Sequence, residues 1–274
     1  LSASSGTVTV TFAKAAQDAL SLTSTSGTYG SSILLATSGG SGTGALSYSV
    51  TNGTASGCAV SSGKLVATSA GTCLVTATKA ADVNYLLATT GSVTVTFAKA
   101  TQLTVTVTST SGTYNTALTL SSTGGSGTGA VTFSVTNGTA SGCAVSSGKL
   151  TSTSAGTCLV TATKATDTNY LETSSVETTV TLAAAAQATL TVTSTSGTYG
   201  TALTLTTSGG LGTGAVTYTV ANGTATNCSV SAGVLTVSSA GTCLVTATKA
   251  ADGNYLAKSS VATWVTFAKA AQTV

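Results

Sequence analysis

Proline, histidine, arginine and methionine are absent from this chain, and charged residues make up only 5% of its 274 positions. Without histidine, acid–base chemistry near neutral pH lacks its usual carrier. Without arginine there is no forked donor for phosphates or carboxylates. The nine lysines are scattered and give a net charge of +3. No basic cluster follows from them, so nucleic acid is excluded as a partner. No apolar run approaches the ~20 residues that a helix needs to cross a bilayer. No leader or sorting signal is visible, and a window cut from a larger protein would not carry one. The only carboxylates close together in sequence are Glu172 and Glu177, with Asp167 as near on the other side, all in one stretch of the chain. Catalysis therefore finds no footing, and neither a cofactor nor an enzymatic role is expected.

What is present is hydroxyl and repetition. Threonine and serine account for 63 and 39 residues, so hydroxyls supply the polar surface that charges supply elsewhere. The run SAGTCLVTATKA stands unchanged at 69–80, 154–165 and 239–250, which sets a period of 85. GTGA recurs at 42–45, 127–130 and 212–215, and Tyr29, Tyr114 and Tyr199 fall in register, as do Gln17, Gln102, Gln187 and Gln272. Repeats at a fixed period decide domain organisation before any local pattern does. The boundaries are 17–101, 102–186 and 187–271, with 272–274 opening a further copy. Residues 1–16 align without a gap onto 86–101 and read as the last strand of a preceding, absent repeat. A window cut from a longer array is the favoured account of that surplus strand; pairing with another subunit is the alternative.

Within a copy the period is two. Leu103, Val105 and Val107 alternate with threonines, and the same alternation returns around Val131–Val135, Leu150, Cys158–Lys164 and Thr178–Leu182. Threonine and valine favour strands, and Gly-rich segments such as 38–44 mark turns. About seven short strands in 85 residues indicate a two-sheet sandwich of immunoglobulin type. The fold expected is thus all-β: three tandem Ig-like sandwiches. A module this small buries only a little over ~60% of its unfolded surface. The cysteine pairs Cys58/Cys73, Cys143/Cys158 and Cys228/Cys243, each 15 apart, supply the missing staple as one disulfide per repeat. No His and no CxxC motif supports zinc instead. Disulfides place the chain in an oxidising, extracellular compartment. The link FAKATQ (97–102) contains no glycine, serine or proline, so it joins copies as a stiff rod rather than a tether.

The run GCAVSSGKLVATSAGTCLVTATKAADVNYLLATTGSVTVTFAKA (57–100) resembles the bacterial Ig-like repeats of very large surface and secreted proteins. The shared features are a Cys before a short hairpin, an AGTC strand, a D-x-N-Y loop and a VTVTFAKA strand entering the next copy. The resemblance covers the whole chain. It implies a β-sandwich at the cell surface, serving as a stalk, adhesin or fibre. The lack of proline and the few charges depart from that pattern and leave the particular role open.

Several residues invite a chemical reading. Asp82/Asn84, Asp167/Asn169 and Asp252/Asn254 offer oxygens to a hard cation, but one carboxylate per loop falls short of the six or more oxygens calcium takes; an Asx-type loop capped by the following tyrosine is preferred and no metal is assigned. Asn52, Asn137 and Asn222 open Asn-Gly-Thr triplets that fit a glycan acceptor and equally a hairpin turn. Lys79 beside Asp82 and Asn84 has the residue types of an isopeptide crosslink, but within six residues it reads as a surface loop. Outward Thr-x-Thr rows could face ice but are common on strands. Trp264 aligns with Thr94 and Thr179, and alternation turns it outward, where an aromatic marks a contact between chains or a cover for its own module. The expected partners are neighbouring repeats or other copies of the chain, with glycans or other cells under the alternative reading as an adhesin array.

Overall fold

A computed structural model describes residues 1–272. The restart expected at 272–274 therefore lies, for 273–274, outside the described residues. The chain forms two compact units. One holds Leu1–Val105 with Gly124–Thr132 and Thr163–Ser174; the other holds Thr106–Thr123 and Phe133–Ala162 together with the chain from Ser175 onward.

The first repeat, inside the first unit, shows how the pattern becomes structure. Its ten strands are β1 (Ser21–Leu22), β2 (Ser26–Thr28), β3 (Ile33–Leu34), β4 (Thr37–Ser38), β5 (Leu46–Asn52), β6 (Ala59–Ser61), β7 (Lys64–Val66), β8 (Gly71–Lys79), β9 (Ala88–Thr89) and β10 (Val93–Ala98). One sheet runs β2-β10-β8-β5, with β9 added to β8; β3-β7-β6 form a second, and β1 pairs with β4. β10 lies antiparallel to β8 and parallel to β2. The seven strands expected are broken into more and shorter pieces, several of two residues. Glycines interrupt them: Gly39, Gly40 and Gly42 all take positive φ between β4 and β5, a conformation that glycine reaches without steric cost.

The invariant β8 is the spine. Cys73, Val75 and Ala77 are fully buried, and the residues between them are not. Opposite, Val95 and Phe97 of β10 point the same way, and Leu65 of β7 closes the core at 0% exposure. Full burial of a side chain such as Leu65 contributes roughly 1.5–3 kcal/mol. Gly71 opens β8 at a φ of 134°, where an added Cβ would meet the Ala55 nitrogen and Thr54. Thr54 and Thr72 then bond reciprocally: the Thr72 N–H donates to Thr54 Oγ1 and the Thr54 N–H to Thr72 Oγ1.

The second unit repeats this plan in the third copy. Ser196–Thr198, Thr263–Ala268, Gly241–Lys249 and Val216–Asn222 form the large sheet, and Val245, Val265, Phe267 and Leu235 fill its core. Each repeat carries one disulfide: Cys58–Cys73, Cys143–Cys158 and Cys228–Cys243, each closing a separation of 15.

Residues 1–14 form no strand, and Val8, Val10 and Phe12 are 87%, 71% and 89% exposed. Ala15 makes a single parallel bridge to Tyr85.

Candidate functional site

The D-x-N-Y loops are where the chain does something that strands alone do not. In the first, Asp82 Oδ1 accepts the N–H groups of Asn84 and Tyr85, both at 2.8 Å, and Oδ2 accepts the Thr43 N–H at 2.6 Å. The Thr43 N–H foremost, with those of Asn84 and Tyr85, holds the Asp82 carboxyl at about 2 against an ordinary 3.8. Asp167 stands the same way, also at about 2, held first by the Thr128 N–H. Asp252 is lowered too, by Asn254 and then Thr213. Backbone donors thus take up the carboxylate oxygens that a cation would need. No cluster of three metal-ligating side chains lies among the described residues.

The loop's outer edge joins one repeat to the next. Inside the first unit, the Ala100 N–H donates to the Asn169 carbonyl and the Leu171 N–H to the Ala100 carbonyl, both at 2.9 Å. The Asn169 side chain reaches further: its Oδ1 accepts the Ala70 N–H at 2.9 Å, across 99 residues of sequence. Tyr170 meets Tyr29 edge to face, with ring centroids 5.5 Å apart and planes at 86°. Lys99 Nζ donates to Thr166 Oγ1. Gln102 closes the other side, donating from Nε2 to the Leu171 carbonyl at 2.8 Å and the Ala165 carbonyl at 3.2 Å. Inside the second unit the same joint recurs. Ala185 bridges Asn254 and Leu256, Asn254 Oδ1 accepts the Ala155 N–H at 2.8 Å, and Tyr255 stands 5.6 Å from Tyr114. Burial and the neighbouring Tyr114 raise the Tyr255 phenol above its ordinary pKa.

Asparagines of the glycan-acceptor triplets are placed differently from a hairpin turn. Asn52 is the last residue of β5, in register with Cys73, and its Oδ1 accepts the Cys58 N–H at 2.9 Å. Asn137 and Asn222 do the same for Cys143 and Cys228. Each holds a disulfide cysteine in position, and the Asn-Gly pair does not close a two-residue hairpin because the chain continues to Ala59 before the next strand.

Trp264 faces outward at 54% exposure, opposite Leu244. It lies over the Asn222–Gly223 turn of its own repeat: a Cβ added at Gly223 would meet its ring. A shallow cavity of about 250 Å³ opens in the second unit, lined by Thr113, Asn115, Thr116, Thr151, Ser152 and Leu182. Leu182 stands there where the other copies carry Phe97 and Phe267.

Sequence alone brought the Asp and Asn of each loop to notice, but as an Asx-type loop capped by its tyrosine, with no metal assigned and no contact to another repeat foreseen. It gave no role to Gln102, to Tyr29 or to the Ala70 N–H. The signal was there in part, since the glutamines and tyrosines recur in register.

No family model matches the chain, and no curated protein matches it. Among solved structures, the crystal structure of invasin, described as a bacterial integrin-binding protein, matches with 16% identity and a TM-score of 0.37, over 92% of this chain and 60% of that one. FdeC, described as an Escherichia coli adhesin, matches with 17% identity and a TM-score of 0.28, over 94% of this chain and all of that one. Domains 1–6 of the surface layer protein SbsC match with 17% identity and a TM-score of 0.29, over 95% of this chain and 41% of that one. The chain is similar to these as an array of β-sandwiches, and the similarity stops at architecture.

Proposed function

We propose that this chain is a structural, non-catalytic segment of a bacterial extracellular protein, a tandem Ig-like stalk or filament-forming array. The observation that carries the reading is the joint. Each loop Asp167–Leu171 and Asp252–Leu256 grips the preceding repeat through backbone, carboxamide and aromatic contacts at once. Such a link resists bending more than a bare peptide does, which supports stiffness from copy to copy. Three disulfides support an oxidising location. Stability along such an array is close to a sum of repeat and neighbour terms.

Single-molecule stretching tests this role. Three unfolding events of similar force are expected, each shortened by the residues locked behind its disulfide and lengthened by reductant. Gradual extension without discrete events would sink it.

One feature favours a second reading, as an adhesin array. Trp264 is an exposed aromatic present in one copy only, as a sugar-stacking residue would be. Retention of the chain on a glycan array, lost in Trp264→Thr, would support that reading; equal binding by both proteins, or none, would remove it.

A further inference from the structure

The outer face of the large sheet in the third repeat carries no charge. It is made by Thr263–Ala268, Gly241–Lys249 and Val216–Asn222, with Ser196–Thr198 at the edge. Its outward positions are threonine, serine, alanine, Leu244 and Trp264; the one charged residue in these strands, Lys249, stands at an end and in the inward phase of Cys243, Val245 and Ala247. One cross-strand row on this face departs from its counterparts. In the first repeat Thr94, Leu74 and Thr51 stand in register. In the third the same row reads Trp264, Leu244 and Ala221, and the second repeat has Thr179 and Thr136 at the two changed places. The row gains an indole at one end and loses a hydroxyl and a methyl at the other. A Cβ added at Gly223, just past Ala221, would meet Trp264 Cζ3. That glycine follows a strand two places away, and strands lie ~4.8 Å apart. The indole therefore lies along the sheet over Leu244, and at 54% exposure it keeps one broad side open. The exposure belongs to the position: Thr94 and Thr179, each followed by a further repeat, are exposed as well.

We propose that this face binds an uncharged polysaccharide chain, with Trp264 as its stacking platform and threonine hydroxyls on either side; this deepens the adhesin reading above and rests on it. One side of a pyranose ring presents C–H groups of slight positive charge, which match the negative face of an indole. Thr266 lies on one side of the Trp264 row, and Thr246 with Thr219, paired across the sheet, lies on the other. The hydroxyls of these three make no hydrogen bond among the described residues, whereas Thr217 donates to the Thr248 carbonyl and Thr248 bonds to Ser259. A threonine hydroxyl both donates and accepts, as a sugar hydroxyl does. A chain laid over the indole therefore meets complementary groups before and after it.

The same face selects against other occupants. A phosphate or carboxylate on the ligand would call for a charged donor, and Lys249 and Lys269, the lysines nearest along these strands, each stand five residues from the Trp264 row. A protein partner would call for a wider apolar centre than one indole and Leu244 set among hydroxyls. Ala221 completes the argument. Threonine serves the strand equally well in the other copies, so the smaller residue answers to the ring that crosses beside it.

Trp264 is the only tryptophan of the chain, so its fluorescence reads the site directly. The test titrates the whole chain with soluble neutral polysaccharides (a β-glucan, a xylan, a galactomannan) and with anionic ones (carboxymethyl cellulose, hyaluronan). A neutral polymer is expected to shift the emission to the blue and to shield the indole from acrylamide, and the anionic ones are not. Affinity electrophoresis then ranks the variants. Trp264→Thr is expected to weaken binding more than tenfold, with part of the loss recovered in Trp264→Phe. Ala221→Thr is expected to weaken it several-fold by crowding the ring, and Thr219→Val with Thr246→Val to do so by removing the hydroxyls. Trp264→Thr and Ala221→Thr install residues that the other copies carry, so unchanged unfolding midpoints are expected for both. Binding that depends on Trp264 but prefers an anionic polymer, or that ignores the alanine and threonine changes, overturns this site and leaves an adhesin with another ligand. Binding that Trp264→Thr leaves alone, or no binding by any polymer, overturns this site and the adhesin reading together. Self-association of the chain that Trp264→Thr abolishes, with no polysaccharide bound, makes the face a contact between copies and overturns it too.

Discussion

Asn169 and Asn84 are the same residue in the same loop, one engaged and one idle. Both follow an aspartate whose carboxylate gathers the loop's N–H groups, and both precede a tyrosine. Asn169 Oδ1 holds the Ala70 N–H, and its neighbour Tyr170 packs on Tyr29. The Asn84 side chain makes no hydrogen bond among the described residues, although its backbone carbonyl accepts the Ala15 N–H at 2.9 Å. The loop's shape is therefore built internally, by Asp82 or Asp167, before any neighbour arrives. What a neighbour adds is the carboxamide bond and the ring contact. Loop formation and repeat joining are separable, and mutation can take them apart.

The largest effect is expected beneath the loop. Replacing Cys58 and Cys73 by serine opens a loop of 15 residues and is expected to cost the first repeat about 3 kcal/mol. Denaturant titration should show one early transition, with the third repeat unmoved. Because Gly71 and Ala70 lie just before Cys73, the same change loosens the surface that Asn169 grips.

Acid comes next, since it reaches all three loops. Asp82 and Asp167 titrate at about 2 in the folded chain against an ordinary 3.8. A lowered folded value means that the carboxylates contribute their full stabilisation above pH ~4 and lose it progressively as pH falls toward 2. Thermal unfolding followed across that window should drop steeply, and Asp82→Asn with Asp167→Asn should flatten the slope.

A sharper comparison is Asn169→Ala against Asn84→Ala. The first leaves the buried Ala70 N–H unpaired and is expected to cost about 1–3 kcal/mol. The second is expected to be silent in the isolated chain. Hydrogen exchange at the Ala70 amide should rise only in the first. Equal costs would mean that the carboxamide acts within its own loop.

Tyr29→Leu against Tyr199→Leu is the aromatic version. Loss of the edge-to-face pair with Tyr170 is expected to cost about 0.5–1.5 kcal/mol, and loss of Tyr199 close to nothing. Smallest of all should be Trp264→Thr, which restores the residue found in the other copies and is expected to stay within about 0.5 kcal/mol. Denaturant midpoints decide both.

Much of this was legible in the sequence, and for a definite reason. Val75, Ala77, Val95 and Phe97 alternate with polar residues, so the period of two that marks a strand is written directly in the chain. The cysteine pairs were legible because each copy has one pair at one spacing. The outward face of Trp264 followed from the same alternation. The joint was not legible. The Asn169–Ala70 bond spans 99 residues, longer than the period itself, and one of its partners is a backbone N–H that no residue type betrays. The Asn-Gly pairs misled because a hairpin and an asparagine tied to the Cys58 N–H share the same dipeptide. Nor did alternation disclose that Val8, Val10 and Phe12 lie outside any sheet, since a strand pattern does not say whether its partners are present.

The 99-residue reach of the asparagine carries a last consequence, for heredity. Every copy encodes both a grip and a handle: the D-x-N-Y loop for the repeat before it, and the SAGTC turn for the repeat after it. A crossover between any two copies in register deletes or adds whole periods and still leaves each grip facing a handle. An insertion of a single residue inside a copy enjoys no such protection, because it shifts the loop against its own strands. The gene can therefore lengthen or shorten this array by recombination far more freely than it can edit any one link.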